Sequence, residues 1–247
     1  MVARRLFGIA LLIMHAPMRA ASPAEPCAGP HPSYDEAAAN HRYAEALGIM
    51  LNALNVTASE RAAISIQPGL SAANDDRHAD AEAAPMRIQV DPALFEDGYD
   101  WACQEVVHEL THYRHFASDR RALHDFFATP AGRSSTQWRG CDDYDATVHA
   151  PSALEQTAFL CLEDDALTPH SAAFEIEAVL AQAAASGEPL HPEDYDYLAE
   201  HAQAFRRSSA TFKNESNEAY YLPSLKTEDA AIARSGEAYL RKTRRPE

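Results

Sequence analysis

The chain has 247 residues, 46% hydrophobic and 23% charged, enough to bury one full core and too apolar overall for a wholly disordered polymer. Lys and Arg number 21 against 37 Asp and Glu, a formal net charge of -16. A surface that acidic repels phosphate backbones and anionic lipid headgroups, which argues against nucleic-acid binding.

The first residues read as an export signal rather than as part of a fold. Arg4 and Arg5 give a positive start, the apolar run from Leu6 to Met14 is too short to span a bilayer, and the small residues Ala20, Ala21 and Ser22 follow. Residues 1–22 are therefore expected to be a signal peptide and residues 23–247 a single domain, secreted or periplasmic, with no integral membrane segment after cleavage. In an oxidising compartment the four cysteines Cys27, Cys103, Cys141 and Cys161 read as two disulfides, with all three pairings open.

Apolar residues at helical spacing predict a helix over residues 34–55. Residues 62–67 alternate as a short strand ended by Pro68-Gly69, and residues 71–85 read as a solvated loop. Met86-Arg87-Ile88-Gln89-Val90 alternates with period two and predicts a second strand, stopped at Asp91-Pro92. Helices are expected over 99–116 and 118–127, a long loop over 129–151, and helices again over 152–165, 170–186, 193–208 and 226–242. The fold class is thus α+β and mostly helical, with a small sheet in the N-terminal half.

The helix predicted over 99–116 carries His108-Glu109-Leu110-Thr111-His112. Residues four apart share a helix face, so both imidazoles can grip one tetrahedral zinc while Glu109 stands one position round, beside the water such an ion would activate. Zinc lowers the pKa of bound water, and a neighbouring carboxylate can accept the proton as that water attacks a carbonyl. Val106, Val107 and Leu110 lie on the opposite side, which gives the helix one apolar face and one face of candidate ligands.

On this motif and the strand before it, the chain resembles the zincin metallopeptidases, in which the active-site helix follows a small sheet whose edge strand lines the substrate cleft. The resemblance implies a zincin-like domain and a Zn2+-dependent peptidase acting on peptide or protein substrates, with His108 and His112 as metal ligands and Glu109 as general base. His115 and Ser118 stand where the metzincin branch has Gly and a third His, so the chain departs from that branch, and a later segment resembles the glutamate-using gluzincins. There the third ligand comes from a later helix, often within Glu-x-x-Ala-Asp. Phe174-Glu175-Ile176-Glu177-Ala178-Val179 is similar, which places Glu175 at the ligand position and puts Val179 where a carboxylate would orient a ligating histidine.

Glu177 and Asp143, the latter in Gly140-Cys141-Asp142-Asp143-Tyr144, stay open as alternatives for the third ligand. His115 can contact a ligand or substrate, and the tyrosines and histidine of residues 191–197, or Tyr220-Tyr221, can donate to an oxyanion. The alternative function is a zincin-derived, non-catalytic secreted binding module. Asn55-Val56-Thr57 and Asn214-Glu215-Ser216 fit the N-glycosylation acceptor pattern.

Overall fold

The computed structural model describes residues 25–70, 78–83, 85–134, 158–159, 169–214 and 222–243. The chain is mostly helical with a small sheet, as its patterning predicts, and among the described residues that sheet has three strands where two are expected. Its helices are α1 (Pro32–Ala39), α2 (Tyr43–Ala53), α3 (Ala58–Ala63), α4 (Tyr99–Ala128), α5 (Pro130–Ser134), α6 (Pro169–Ser186), α7 (Pro192–Asn214) and α8 (Pro223–Thr243). The strands are β1 (Ile64–Ile66), β2 (Ala79–Ala83) and β3 (Met86–Val90).

Strand order is β1-β3-β2. The alternating Met86–Val90 segment takes the centre, where Ile88 and Val90 are fully buried. It pairs in parallel with β1 (Ile64 opposite Ile88, Ile66 opposite Val90) and antiparallel with β2 (Ala79 opposite Val90, Ala83 opposite Met86). The opposed residues Arg87 and Glu82 make a bidentate pair at 2.8 Å.

Strand β2 corrects the expected solvated loop over residues 71–85. Ala-Asp-Ala-Glu-Ala does alternate with period two, but alanine is a poor strand former, and it is pairing with β3 that holds the segment extended. Helix boundaries also differ from expectation: Pro130–Ser134 is helical inside the loop expected over 129–151, and the helix expected over 193–208 runs on to Asn214. The helix expected over 34–55 is two helices, because Asn40 turns its amide back to donate to the Glu36 carbonyl at 2.7 Å and His41 takes φ 55°. Conversely, residues 99–128 form one 30-residue helix, since nothing between Phe116 and Arg120 is a Pro or Gly that would stop it. The strand expected over 62–67 is confined to residues 64–66, because Thr57 and Glu60 close a capping box that keeps residues 58–63 helical.

Cys27 and Cys103 stand at disulfide distance, their Cα atoms 5.4 Å apart. Cys141 and Cys161, and most of the helix expected over 152–165, lie outside the described residues, as does the expected signal segment. Next to Cys27, its own N–H donates to the Ala185 carbonyl and the Tyr99 hydroxyl donates to the Pro26 carbonyl, so this short N-terminal stretch ties the start of α4 to the end of α6.

Three apolar clusters frame the interior. One joins α1, α2, β3 and the N-terminal half of α4 through Tyr34, Met50, Ile88, Leu94, Val106 and Leu110. A second gathers Phe116, Leu123, Phe127, Phe159, Phe174 and Leu225. A third packs α6, α7 and α8 through Ile176, Val179, Leu198, Ala202 and Ala233. Helix α4 runs from the first cluster into the second and α6 from the second into the third, and the two pack antiparallel, His108 beside Gln182 at one end and Asp119 beside His170 at the other.

Candidate metal centre

Along α4, Val106 and Leu110 face the core, and the helical repeat therefore turns His108 and His112 to the α6 side. Their rings lie 4.6 Å apart, centroid to centroid, and His112 packs near Phe116 and Phe174. From α6, Glu175 sends its Oε2 to 3.3 Å from His108 Nε2 and 3.5 Å from His112 Nε2. One ligand atom from each of the three lies within 4.8 Å of the other two, so His108, His112 and Glu175 form a group that can hold a metal ion. Among the described residues no other His, Cys, Asp and Glu cluster does so.

The donor set fits a small cation. Ligand bonds of about 2.0–2.2 Å in a tetrahedron separate neighbouring donor atoms by about 3.3–3.6 Å, a range that holds both Glu175–histidine distances. Glu175 Oε2 is also buried without a well-directed hydrogen bond, an anionic oxygen facing two imidazole nitrogens. Burial alone would raise the Glu175 carboxyl, but the two histidines outweigh it and hold the group far below the usual carboxylate range. Burial likewise opposes charge on His108. Glu175, Glu109 and Gln182 win there, and its imidazolium persists up to about 9.

Glu109 is 9% exposed and lines the same cleft. Burial pushes its carboxyl up, reinforced by the charges of Asp80 and Glu175 and only partly offset by His112 and His108. A carboxylate with raised proton affinity is suited to accept a proton near neutral pH.

The cleft encloses about 450 Å³. Its walls are α4, α6, the start of α7 and the edge strand β2, which contributes Ala79, Asp80, Ala81 and Ala83. Arg120 fixes the end of that strand by donating to the Ala83 carbonyl at 3.0 Å while lying over the Phe159 ring. Among the described residues five carboxylates line the cleft, those of Asp80, Glu105, Glu109, Glu175 and Asp194, and no Lys or Arg does.

Of the other candidates, only some reach the cleft. Glu177 pairs with His115, whose ring packs on Phe174, and neither residue lines the cleft. Tyr197 lines it; Tyr195 instead donates to the Leu240 carbonyl at 3.1 Å as a packing group. Asp143 and Tyr220-Tyr221 lie outside the described residues.

Sequence reasoning passed over Gln182, Glu105 and Asp194. Gln182 is 5% exposed, with its Oε1 3.2 Å from His108 Nδ1 and its Nε2 3.4 Å from Glu105 Oε1. The signal that could have found the first two is helical spacing: Glu105 stands three residues before His108 on α4, and Gln182 seven after Glu175 on α6. Searches for similar proteins return no matching family model, curated protein or solved structure.

Proposed function

We propose that this chain is an exported zinc-dependent hydrolase, a peptidase of zincin type, with His108, His112 and Glu175 as metal ligands and Glu109 as general base. The observation that carries the reading is the approach of Glu175 Oε2 to both Nε2 atoms of the His-Glu-x-x-His helix, at the spacing a tetrahedral ion requires. Zinc held there supplies a Lewis acid that polarises a carbonyl and acidifies water toward a pKa of about 7.

The chain's own groups do the rest. Glu109, buried beside the ligands, takes the proton of the attacking water and passes it to the leaving amine. Strand β2 offers its cleft-lining edge to an extended peptide, whose backbone can add to the sheet. The five carboxylates around that cleft disfavour acidic side chains, so substrates with neutral or basic residues at the scissile bond suit it. Export accords with the Cys27–Cys103 pair, and among the described residues no helix is long and apolar enough to cross a membrane.

Glu109→Gln tests the reading. It should keep one equivalent of zinc while peptide hydrolysis falls by at least about a hundredfold, the scale of a positioned general base. Full turnover in that variant, or a wild-type chain that takes up no metal, defeats it. A second reading, a metal-binding module without turnover, draws on Val179 standing where a carboxylate is expected. One equivalent of zinc with no cleavage across a peptide library would favour it.

A further inference from the structure

Gln182 sits on α6 three residues beyond Val179, and Val179 itself is 1% exposed in the apolar cluster between α6, α7 and α8. Position 179 therefore has no polar group to offer a ligating histidine. One turn further along the helix, the Gln182 side chain lies between two α4 residues, with Oε1 toward His108 Nδ1 (3.2 Å) and Nε2 toward Glu105 Oε1 (3.4 Å).

The chemistry of these three groups sets a direction. The Gln182 amide nitrogen lies toward Glu105 Oε1 and donates to it, which leaves the amide oxygen facing the imidazole. That oxygen accepts only from a protonated Nδ1. His108 is thereby held with Nδ1–H toward Gln182 and its Nε2 toward Glu175 Oε2 and the neighbouring His112, the nitrogen a metal needs.

We propose that Gln182, backed by Glu105, is the positioning residue for His108: a two-step relay from carboxylate through amide to imidazole that does the orienting a carboxylate at position 179 would otherwise do. The inference rests on the metal reading above. It adds to that reading two residues outside the ligand set, and it assigns the polarity of each bond between them.

The test measures zinc affinity of the full-length protein by competition with a chelating dye, with no need for a substrate. Gln182→Leu removes the acceptor at Nδ1 while keeping side-chain bulk, and should weaken zinc binding about 10- to 100-fold. The swap Gln182→Glu with Glu105→Gln restores an acceptor at Nδ1–H and a donor behind it, and should recover most of that loss. Gln182→Glu alone sets two carboxylates face to face and should bind at least about tenfold more weakly than the swap, a comparison that decides the matter even where Gln182→Leu fails to fold. Zinc affinity in Gln182→Leu within twofold of wild type, or a swap no better than Gln182→Glu alone, overturns the relay and leaves the metal centre standing. A wild-type chain without stoichiometric zinc overturns both.

Discussion

His170 Nδ1 stands 2.7 Å from Asp229 Oδ2 on α8, and its Nε2 stands 3.1 Å from Asp119 Oδ2 on α4, with all three side chains almost fully buried. Both ring nitrogens face acceptors, which only an imidazolium can satisfy as a donor at both. The cation sits five residues before Glu175, so it fixes α6 against α4 at the level where the candidate ligands meet. Removing it leaves two buried carboxylates without a counter-charge, and breaking such an arrangement from one side costs about 3–5 kcal/mol. His170→Leu should therefore lose about that much in urea unfolding, whereas His170→Leu combined with Asp119→Asn and Asp229→Asn should lose less. Equal losses would show that the charges are not what holds the helices.

The same cluster sets a pH dependence. Burial opposes charge on His170, but Asp119 and Asp229 outweigh it and raise its pKa to about 10, against about 6.5 in an unfolded chain. A group raised on folding contributes its full stability below the unfolded value and loses it as pH climbs through the folded one. The melting temperature of the metal-free protein should thus fall steadily between pH 6.5 and about 10. His108, held up to about 9, adds to the slope with the same sign. In the triple variant above the slope should shrink; an unchanged slope would assign the effect to other groups.

Gly236 on α8 lets that helix approach α6 closely. A Cβ at this position would lie 2.6 Å from Ile176 Cγ2 and 3.5 Å from Leu198 Cδ1. Ile176 is fully buried and cannot swing aside, so Gly236→Ala should destabilise the protein through overpacking by roughly 1–3 kcal/mol despite alanine's better helix propensity. Because Ile176 is next to Glu175, the variant should also weaken metal binding. Thermal melts with and without zinc would read both effects, and a gain in stability would mean that α8 can shift without strain.

Much of this arrangement is legible in the residues before any coordinates. Met86–Val90 declares a strand through strict alternation, and His108, Glu109 and His112 declare a shared face through their spacing, because both signals are local. The edge strand β2 is not legible in the same way. Ala79–Ala83 alternates, but its small side chains carry little hydrophobic contrast, and its extended form depends on a partner three residues further on. Glu175 and Glu177 sit two apart on one helix among apolar neighbours, and only the packing of α6 against α4 decides which of them faces His108 and His112. Gln182 escaped for a related reason, since an amide amid alanines looks like ordinary helix until the opposite helix supplies His108 and Glu105.

The Cys27–Cys103 link spans 76 residues and secures the segment that ties α4 to α6. In the chain-entropy model a loop of that length restricts the unfolded chain by about 4–5 kcal/mol. Cys27→Ser with Cys103→Ser should lower stability by roughly 2–5 kcal/mol. Limited proteolysis should then cut near residues 25–31 sooner than in the wild type. Unaltered stability and protection would mean that the backbone bond to Ala185 and the Tyr99 hydroxyl bond hold the segment by themselves.

Glu175 and Glu177 provide the sharpest comparison, because they share a helix and chemistry and differ in what they face. Glu175 meets His108 and His112 across the cleft, whereas Glu177 pairs with His115 outside it and is held below its ordinary value chiefly by that bond. Glu175→Gln removes the anionic ligand while keeping shape, so zinc affinity should fall by at least about a hundredfold, at the strong end of the effects seen when a supporting group near a metal is lost. Glu177→Gln should leave zinc affinity within about threefold of wild type, since it alters a histidine that contributes no ligand atom. Isothermal titration of zinc into each metal-free variant distinguishes them. A loss in Glu177→Gln comparable to that in Glu175→Gln would move the third ligand to the other acid and with it the face of α6 that meets the cleft.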